Sequence, residues 1–176
     1  MLVRPELLIA RLGVPEGSLV ADFGAGTGHW AVVLAKRVGP KGKVYAIDVQ
    51  QELLSNVLAS GKETGVSNIE VIWGDLDKTG GSKLADASVD FVVLANTLFQ
   101  LEDKKAVAGE IKRVLKPGGK LLVVDWKDSL KQFGPHKTMI VGKAEGEKIF
   151  KDAGFEEDQS FDAGEHQWGA VFKKNV

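Results

Sequence analysis

The chain has 176 residues, no cysteine, and 23 Lys plus Arg against 24 Asp plus Glu, which gives a formal net charge of −1. This length fits a single domain over residues 1–176, and the lack of cysteine excludes a disulfide scaffold, a thiolate metal site and a cysteine nucleophile. Balanced charge argues against a nucleic-acid binder, no apolar run is long enough to predict a membrane span, and the N-terminus predicts no signal peptide, so we expect a cytoplasmic protein.

Apolar β-like segments alternate along the chain with segments whose apolar residues recur at helical spacing. The predicted helices are 6–12, 27–38, 50–64, 103–115 and 143–153. The predicted strands are 19–23, 43–48, 69–73, 89–95, 120–126, 155–161 and 167–173. We expect Pro117-Gly118-Gly119 to break the fourth helix, and the short link 162–166 to make the last two strands antiparallel. This order predicts an α/β fold: a Rossmann-like, doubly wound, mostly parallel seven-stranded sheet with an antiparallel C-terminal hairpin.

A glycine-rich segment, Asp22-Phe23-Gly24-Ala25-Gly26-Thr27-Gly28, lies between the first strand and its helix. Glycines there let the backbone approach a ligand, and the N-terminus of the next helix favours an anionic group. Asp48 ends the second strand, where a carboxylate can accept hydrogen bonds from ribose hydroxyls. From these residues alone, a SAM (S-adenosylmethionine) carboxylate and a dinucleotide pyrophosphate both fit, and a tight turn beside a solvated aspartate is the purely structural alternative.

Four segments together resemble the motifs of class I SAM-dependent methyltransferases. Residues 22–28 match the D-x-G-x-G-x-G pattern, and 46–48 resemble the second motif with its ribose-binding acid. Residues 74–76 resemble the acidic segment after the third strand, and 115–121 resemble the "LKPGG" turn before the fifth strand. The resemblance runs from about residue 19 to 126 and implies SAM as cofactor.

The resemblance also implies where each part of SAM would lie. The glycine-rich loop 22–28 would line the methionine part of SAM. Asp22, at the start of that loop, would orient the loop or reach the amino group of SAM through water. Residues 48 and 49 would hold the ribose and pack on adenine, 75 and 76 would meet the adenine edge, and 96 and 97 would lie beside the methionine end and the acceptor. The alternative for residues 75 and 96 is a loop or capping role. The implied cofactor contacts are Asp22, Gly24, Ala25, Gly26, Asp48, Val49, Asp75, Leu76, Asn96 and Thr97.

No side chain stands out as a catalytic base, and methyl transfer needs one only where the acceptor must lose a proton. His136 and His166 are the candidates; with His29 they map to the carboxyl edge of the sheet, although a surface role is the common one for a histidine. Trp126 is a candidate acceptor wall or a core residue, and the 127–142 connection is a candidate cover. No cluster has metal-ligand spacing, so we expect no metal.

Two features of the sequence narrow the class of methyl acceptor. Cysteine is missing, which disfavours an arsenite methylase, and Leu94 to Phe99 departs from the Asp/Asn-Pro-Pro-aromatic pattern of DNA and glutamine amide methylases. The chain resembles the small-molecule group that includes ubiquinone/menaquinone-type methylases, so we expect a small-molecule acceptor, with a homodimer able to supply a further wall. Two alternatives stay open: a non-catalytic SAM-binding regulatory or partner subunit, and an NAD-dependent oxidoreductase, which the glycine spacing and the LKPGG turn disfavour.

Overall fold

The computed structural model describes residues 3–129 and 134–176. Its strands are β1 Leu19–Phe23, β2 Lys43–Asp48, β3 Ile69–Trp73, β4 Val89–Ala95, β5 Leu115–Trp126, β6 Phe155–Asp162 and β7 Gln167–Lys174. Its α-helices are α1 Pro5–Leu12, α2 His29–Val38, α3 Gln51–Glu63, α4 Lys104–Val114 and α5 Lys143–Asp152. Short 3₁₀ turns cover Leu98–Gln100 and Lys137–Met139. None of the helices within these two ranges is long and apolar enough to cross a bilayer.

The strands form one sheet in the order β3-β2-β1-β4-β5-β7-β6. The first five of these are parallel neighbours, and β7 runs antiparallel to both β5 and β6. The predicted doubly wound sheet with its antiparallel hairpin is therefore confirmed. The chain leaves β1 towards β2 and β3, then returns to β4 on the other side of β1, which opens a crevice at the carboxyl ends of β1 and β4.

Alternating strand residues send apolar side chains to both faces of the sheet. Val20 of β1 joins the core under α1, α2 and α3, whereas Ala21 and Phe23 join the core under α4 and α5. In β4, Val92 and Val93 divide in the same way, and both are fully buried. Burial on both faces explains why this strand reads as an almost continuous apolar run.

Two boundaries differ from those predicted by more than one residue. The Pro-Gly-Gly segment does not separate helix from strand: β5 begins at Leu115, directly after α4. The strand passes through residues 117–119 because a register shift lies between the Val89–Leu115 and Phe91–Lys120 pairs. Helix α2 begins at His29, since Gly28 adopts a left-handed conformation with φ 90° at its N-cap. Part of the predicted cover, residues 130–133, lies outside the described residues.

Candidate active site in the crevice between β1 and β4

The glycine loop after β1 is fastened to the end of β2. The N–H groups of Gly24 and Ala25 both donate to the carbonyl of Ile47, at 2.8 and 2.9 Å. Gly24 has φ 81°, and a Cβ there would overlap the Thr97 hydroxyl and lie 2.9 Å from the Thr97 Cβ. Only glycine meets both demands, so the loop can lie against the chain that leaves β4.

Asp48 joins the end of β2 directly to this loop. Its Oδ2 accepts the Gly26 N–H at 2.9 Å, and its Oδ1 accepts the Gln50 N–H at 2.9 Å. The residue is 8% exposed. Each carboxylate oxygen has a second lone pair, so both can accept a further bond from a ligand. The glycine loop and the strand-end acid predicted from sequence thus form one structural unit.

A cavity of about 540 Å³ opens at this crevice. Nine of the ten predicted cofactor contacts line it, and Asp22 is the exception. The charged lining consists of Asp48, Asp75 and Asp77, with His29 at the rim, and no Lys or Arg of the described ranges contributes to it. An acidic lining of this kind favours a ligand that carries positive charge.

Asp22 lies beneath the glycine loop and is 1% exposed. Its Oδ2 has no hydrogen-bond partner among the described residues. Burial, and then the charge of Asp48, raise the pKa of Asp22 to about 7, against a lowering by the Ala31 N–H. A buried carboxyl with an unpaired oxygen is costly, and a nearby cation or hydrogen-bond donor would offset that cost.

The opposite end of the cavity is formed by β2, β3 and the loops that follow them. Val49 is 60% exposed, although it is apolar, and offers a flat hydrophobic surface at the cavity. Asp75 is already engaged: its Oδ2 lies 2.7 Å from Lys78 Nζ, and its Oδ1 accepts the Asp77 N–H at 3.2 Å. The hydrogen bond from Lys78 is the main cause that lowers the pKa of Asp75. A ligand would therefore share Asp75 with these groups, whereas Leu76 lines the cavity as a buried residue.

The connection from β3 to β4 is held in place by Glu110 of α4, a residue that sequence reasoning did not single out. Its buried carboxylate accepts the N–H groups of Gly80 and Ser82, at 2.8 and 3.1 Å, and the guanidinium of Arg113 at 2.7 Å. Burial alone would raise the pKa of Glu110, but the bonds from Arg113, Ser82 and Gly80 outweigh it and lower the pKa to about 2. Glu110 therefore holds the β3–β4 connection, whose residues 75–77 line the cavity.

Asn96 and Thr97 form a corner directly after β4. Asn96 is not glycine, yet its φ is 54°, and its N–H donates to the Val124 carbonyl at 2.8 Å. Its side-chain oxygen accepts a hydrogen bond from Gln167 Nε2. The Thr97 hydroxyl donates to the Ala95 carbonyl at 3.1 Å, so both residues are held by the sheet while they line the cavity.

The predicted catalytic histidines lie away from this cavity. His136 is exposed, and its Nδ1 accepts the Thr138 N–H at 3.4 Å, which caps the second 3₁₀ turn. His166 Nδ1 lies 2.6 Å from Asp128 Oδ1, and neither His136 nor His166 lines the cavity. Of the three histidines, His29 is the one at the cavity, and the base assignments stay predictions.

Trp126 is 6% exposed and does not contribute to the cavity lining, so its position is that of a core residue. The lining includes residues that the sequence reasoning missed, among them Gln100 and Leu101 at the 3₁₀ turn after Thr97. Their signal was available, because they follow a strand end on the same edge of the sheet. In the two described ranges, no group of three or more His, Cys, Asp or Glu could hold a metal ion.

Comparison with known proteins identifies the family. Residues 16–172 match the family model described as "Methyltransferase domain". A demethylmenaquinone methyltransferase from Geobacillus kaustophilus is 33% identical over 114 residues, which cover 65% of this chain and 47% of that protein. The Listeria welshimeri protein of that name is 30% identical over 138 residues, or 74% of this chain and 57% of that protein. The chain thus spans about half the length of the curated relatives that it matches.

A solved structure described as a SAM dependent methyltransferase from Aquifex aeolicus superimposes with a TM-score of 0.89 and 34% identity. That match covers 98% of this chain and 90% of the other. Sequence, topology and structural likeness agree: this chain belongs to the methyltransferase domain family, within the class I SAM-dependent methyltransferases.

Proposed function

We propose that this chain binds SAM in the crevice between β1 and β4 and transfers its methyl group to a small-molecule acceptor. The observation that carries the proposal is the bond from the Gly26 N–H to Asp48 Oδ2 at 2.9 Å. It joins a backbone cradle to a strand-end acid beside a cavity of about 540 Å³, which is large enough for a nucleoside with an amino-acid chain. Family membership supports SAM as the ligand.

The nucleoside half of SAM would lie at the β2 and β3 end of the cavity. Both Asp48 oxygens keep a lone pair for the ribose hydroxyls. The exposed Val49 would pack on one face of adenine, and Asp75 and Leu76 would meet its edge. Since Asp75 already accepts from Lys78 and Asp77, its share in adenine binding would be smaller than the share of Asp48 in ribose binding.

The methionine half would lie over the glycine loop, against Asn96 and Thr97. Gly24 and Gly26 leave the main chain bare there, and no atom lies within 4 Å of a Cβ built on Gly26. The unpaired Asp22 oxygen below supports a cationic amino group near the loop, whether contacted directly or through water. These features fit a ligand with positive charge at one end and a sugar at the other.

When bound, SAM supplies a sulfonium-activated methyl group that is open to in-line displacement, so the protein's contribution is positioning and exclusion of water. The glycine loop and the Asn96–Thr97 corner would hold the methyl donor from two sides. Gln100 and Leu101 would form the wall nearest the acceptor. The acid-rich lining would favour the cationic donor over its neutral-sulfur product and so assist product release.

For the acceptor, the relatives that share the sequence support a reduced quinone or a similar aromatic hydroxyl compound, because the names of the Geobacillus and Listeria proteins specify demethylmenaquinone. The chain spans only about half of those proteins, so this acceptor class is the first to test rather than a consequence of the fold. A carbon or oxygen acceptor of this type loses a proton, and His29 at the rim is the histidine nearest to that task.

Calorimetry with SAM, its demethylated product S-adenosylhomocysteine (SAH) and NAD tests the binding half of the proposal. We expect binding of SAM and SAH and none of NAD. Transfer is tested with methyl-labelled SAM and a panel that includes 1,4-dihydroxynaphthalene. Binding of SAM without label transfer to any acceptor would support a non-catalytic subunit, and binding of NAD alone would overturn the proposal.

A further inference from the structure

A second polar layer lies behind the Asn96–Thr97 corner. Asp125, near the end of β5, is fully buried, and Gln167, the first residue of β7, is 2% exposed. Neither residue lines the cavity. Buried polar side chains at the ligand edge of a sheet need a reason, because each costs free energy unless it is well paired.

The Asp125 carboxylate accepts backbone hydrogen bonds from its neighbour in the chain and from the 3₁₀ turn Leu98–Gln100. Its Oδ1 accepts the Trp126 N–H at 2.7 Å, and its Oδ2 accepts the Phe99 N–H at 3.4 Å. Burial raises the pKa of Asp125 to about 6, against a lowering by these two N–H groups and by those of Leu98 and Thr97. The bond from the Phe99 N–H therefore holds the turn that carries residues 97–101 along the cavity.

Gln167 fastens the same corner from the other side. Its Nε2 donates to the Asn96 side-chain oxygen, while the Asn96 N–H donates to the Val124 carbonyl. Asn96 adopts φ 54°, a left-handed conformation that asparagine takes more readily than most non-glycine residues, and the bond from Gln167 fixes its side chain there. Strand β5 and strand β7 thus each contribute one buried side chain that holds residues 96–97.

We propose that Asp125 and Gln167 are positioning residues for the amino-acid end of the ligand, acting through the Asn96–Thr97 corner. This inference rests on the proposed function. The nucleoside end depends on other bonds. Asp48 ends β2, and among the described residues its carboxylate bonds to the backbone N–H groups of residues 26 and 50, to which neither Asp125 nor Gln167 bonds. Damage to the second layer should therefore affect one half of the ligand and spare the other.

The test compares two ligands that share the nucleoside. SAH carries the full homocysteine chain, whereas 5′-methylthioadenosine lacks the amino and carboxyl groups. In Asp125→Asn, an amide –NH₂ replaces one oxygen and confronts backbone donors, so the corner must shift. We expect SAH affinity to fall about tenfold, the factor for losing one hydrogen bond to a charged group, with methylthioadenosine affinity within about twofold of wild type.

Asp90→Asn is the matched control, because Asp90 also accepts a backbone N–H, that of Leu19 at 2.8 Å, but lies at the opposite edge of the sheet. Both ligands should bind this variant as they bind wild type. Gln167→Met keeps the side-chain volume and removes the bond to Asn96; we expect the same selective loss, smaller in size, and this variant decides the matter if Asp125→Asn does not fold.

Equal losses for the two ligands, or unchanged affinity for both in the two variants, would overturn the positioning role while leaving SAM binding intact. Wild-type protein that binds neither ligand would instead overturn the proposed function, and the inference with it. A general loss of stability does not mimic the expected result, since it has no reason to distinguish the two ligands.

Discussion

Removal of the Asp48 carboxylate is the perturbation that tests the site most directly. Each oxygen accepts one backbone bond and has one lone pair left for a ribose hydroxyl. A hydrogen bond to a charged group contributes about 1.5–3 kcal/mol, so Asp48→Ala should weaken SAH binding roughly 10- to 150-fold. Calorimetry at fixed pH and salt measures this, with Asp90→Asn as the control that should bind normally.

The variant also leaves the N–H groups of Gly26 and Gln50 without their acceptor, so a loss of affinity could arise from a displaced loop. A ligand lacking the ribose 2′-hydroxyl separates the two causes. If Asp48 binds that hydroxyl, wild type should discriminate between SAH and its 2′-deoxy analogue, and Asp48→Ala should bind both within about twofold. Additive effects of the two changes would refute the ribose assignment, even if Asp48→Ala binds SAH weakly.

Four further substitutions have expected outcomes. Gly24→Ala should lower the free energy of unfolding, measured in urea, by more than the roughly 1–2 kcal/mol that a left-handed non-glycine residue costs, because its new Cβ overlaps Thr97. Gly26→Ala places its Cβ where no atom lies within 4 Å, so it should lose less stability but should weaken SAM binding. Equal losses of stability in the two variants would contradict this expectation. The folded pKa of Asp22 is raised, so wild-type stability should fall as pH rises from about 4 to about 7, and Asp22→Asn should flatten that profile in thermal unfolding. Glu110→Gln should lower the free energy of unfolding by roughly 1.5–3 kcal/mol at pH 7, measured in urea. Because the pKa of Glu110 is depressed in the folded protein, this difference from wild type should shrink as the pH falls towards 2. A variant as stable as wild type at pH 7 would show that the buried charge is dispensable.

The order of strands and helices could be predicted because the first four strands are short and rich in apolar residues, and the first three end at an acid or directly before a glycine. Residues 89–95 illustrate this, since burial on both faces leaves no polar position except near the start. The Pro-Gly-Gly segment misled, because in isolation it marks a turn, whereas pairing of Leu115 with Val89 carries the strand through it. Tertiary pairing outweighs local preference there, and single-sequence reasoning has no access to it.

The cavity could be predicted as far as the motif residues reach. Residues 24–26, 48–49, 75–76 and 96–97 were predicted and do line it. The supporting acids were not found, because Glu110 lies 30 residues from Gly80 and Asp125 lies 26 residues from Phe99, the backbone groups in the loop and the turn that they hold. A helix glutamate reads as a solvated residue until the loop that covers it is known, and a strand aspartate beside an apolar run reads as the strand's exposed end.

The electrostatics of the crevice connect these features into one argument. Asp22 and Asp48 are both buried, and the charge of Asp48 helps to keep Asp22 protonated near neutral pH. Without a ligand this arrangement costs free energy, because an ionisable group is removed from water and its Oδ2 has no hydrogen-bond partner in residues 3–129 and 134–176. A ligand with positive charge above the glycine loop reduces that cost by favouring the ionised Asp22, so part of the affinity comes from relief of strain already present in the protein. A neutral nucleoside cannot gain this part, which gives the site a physical basis for preferring SAM over adenosine alone.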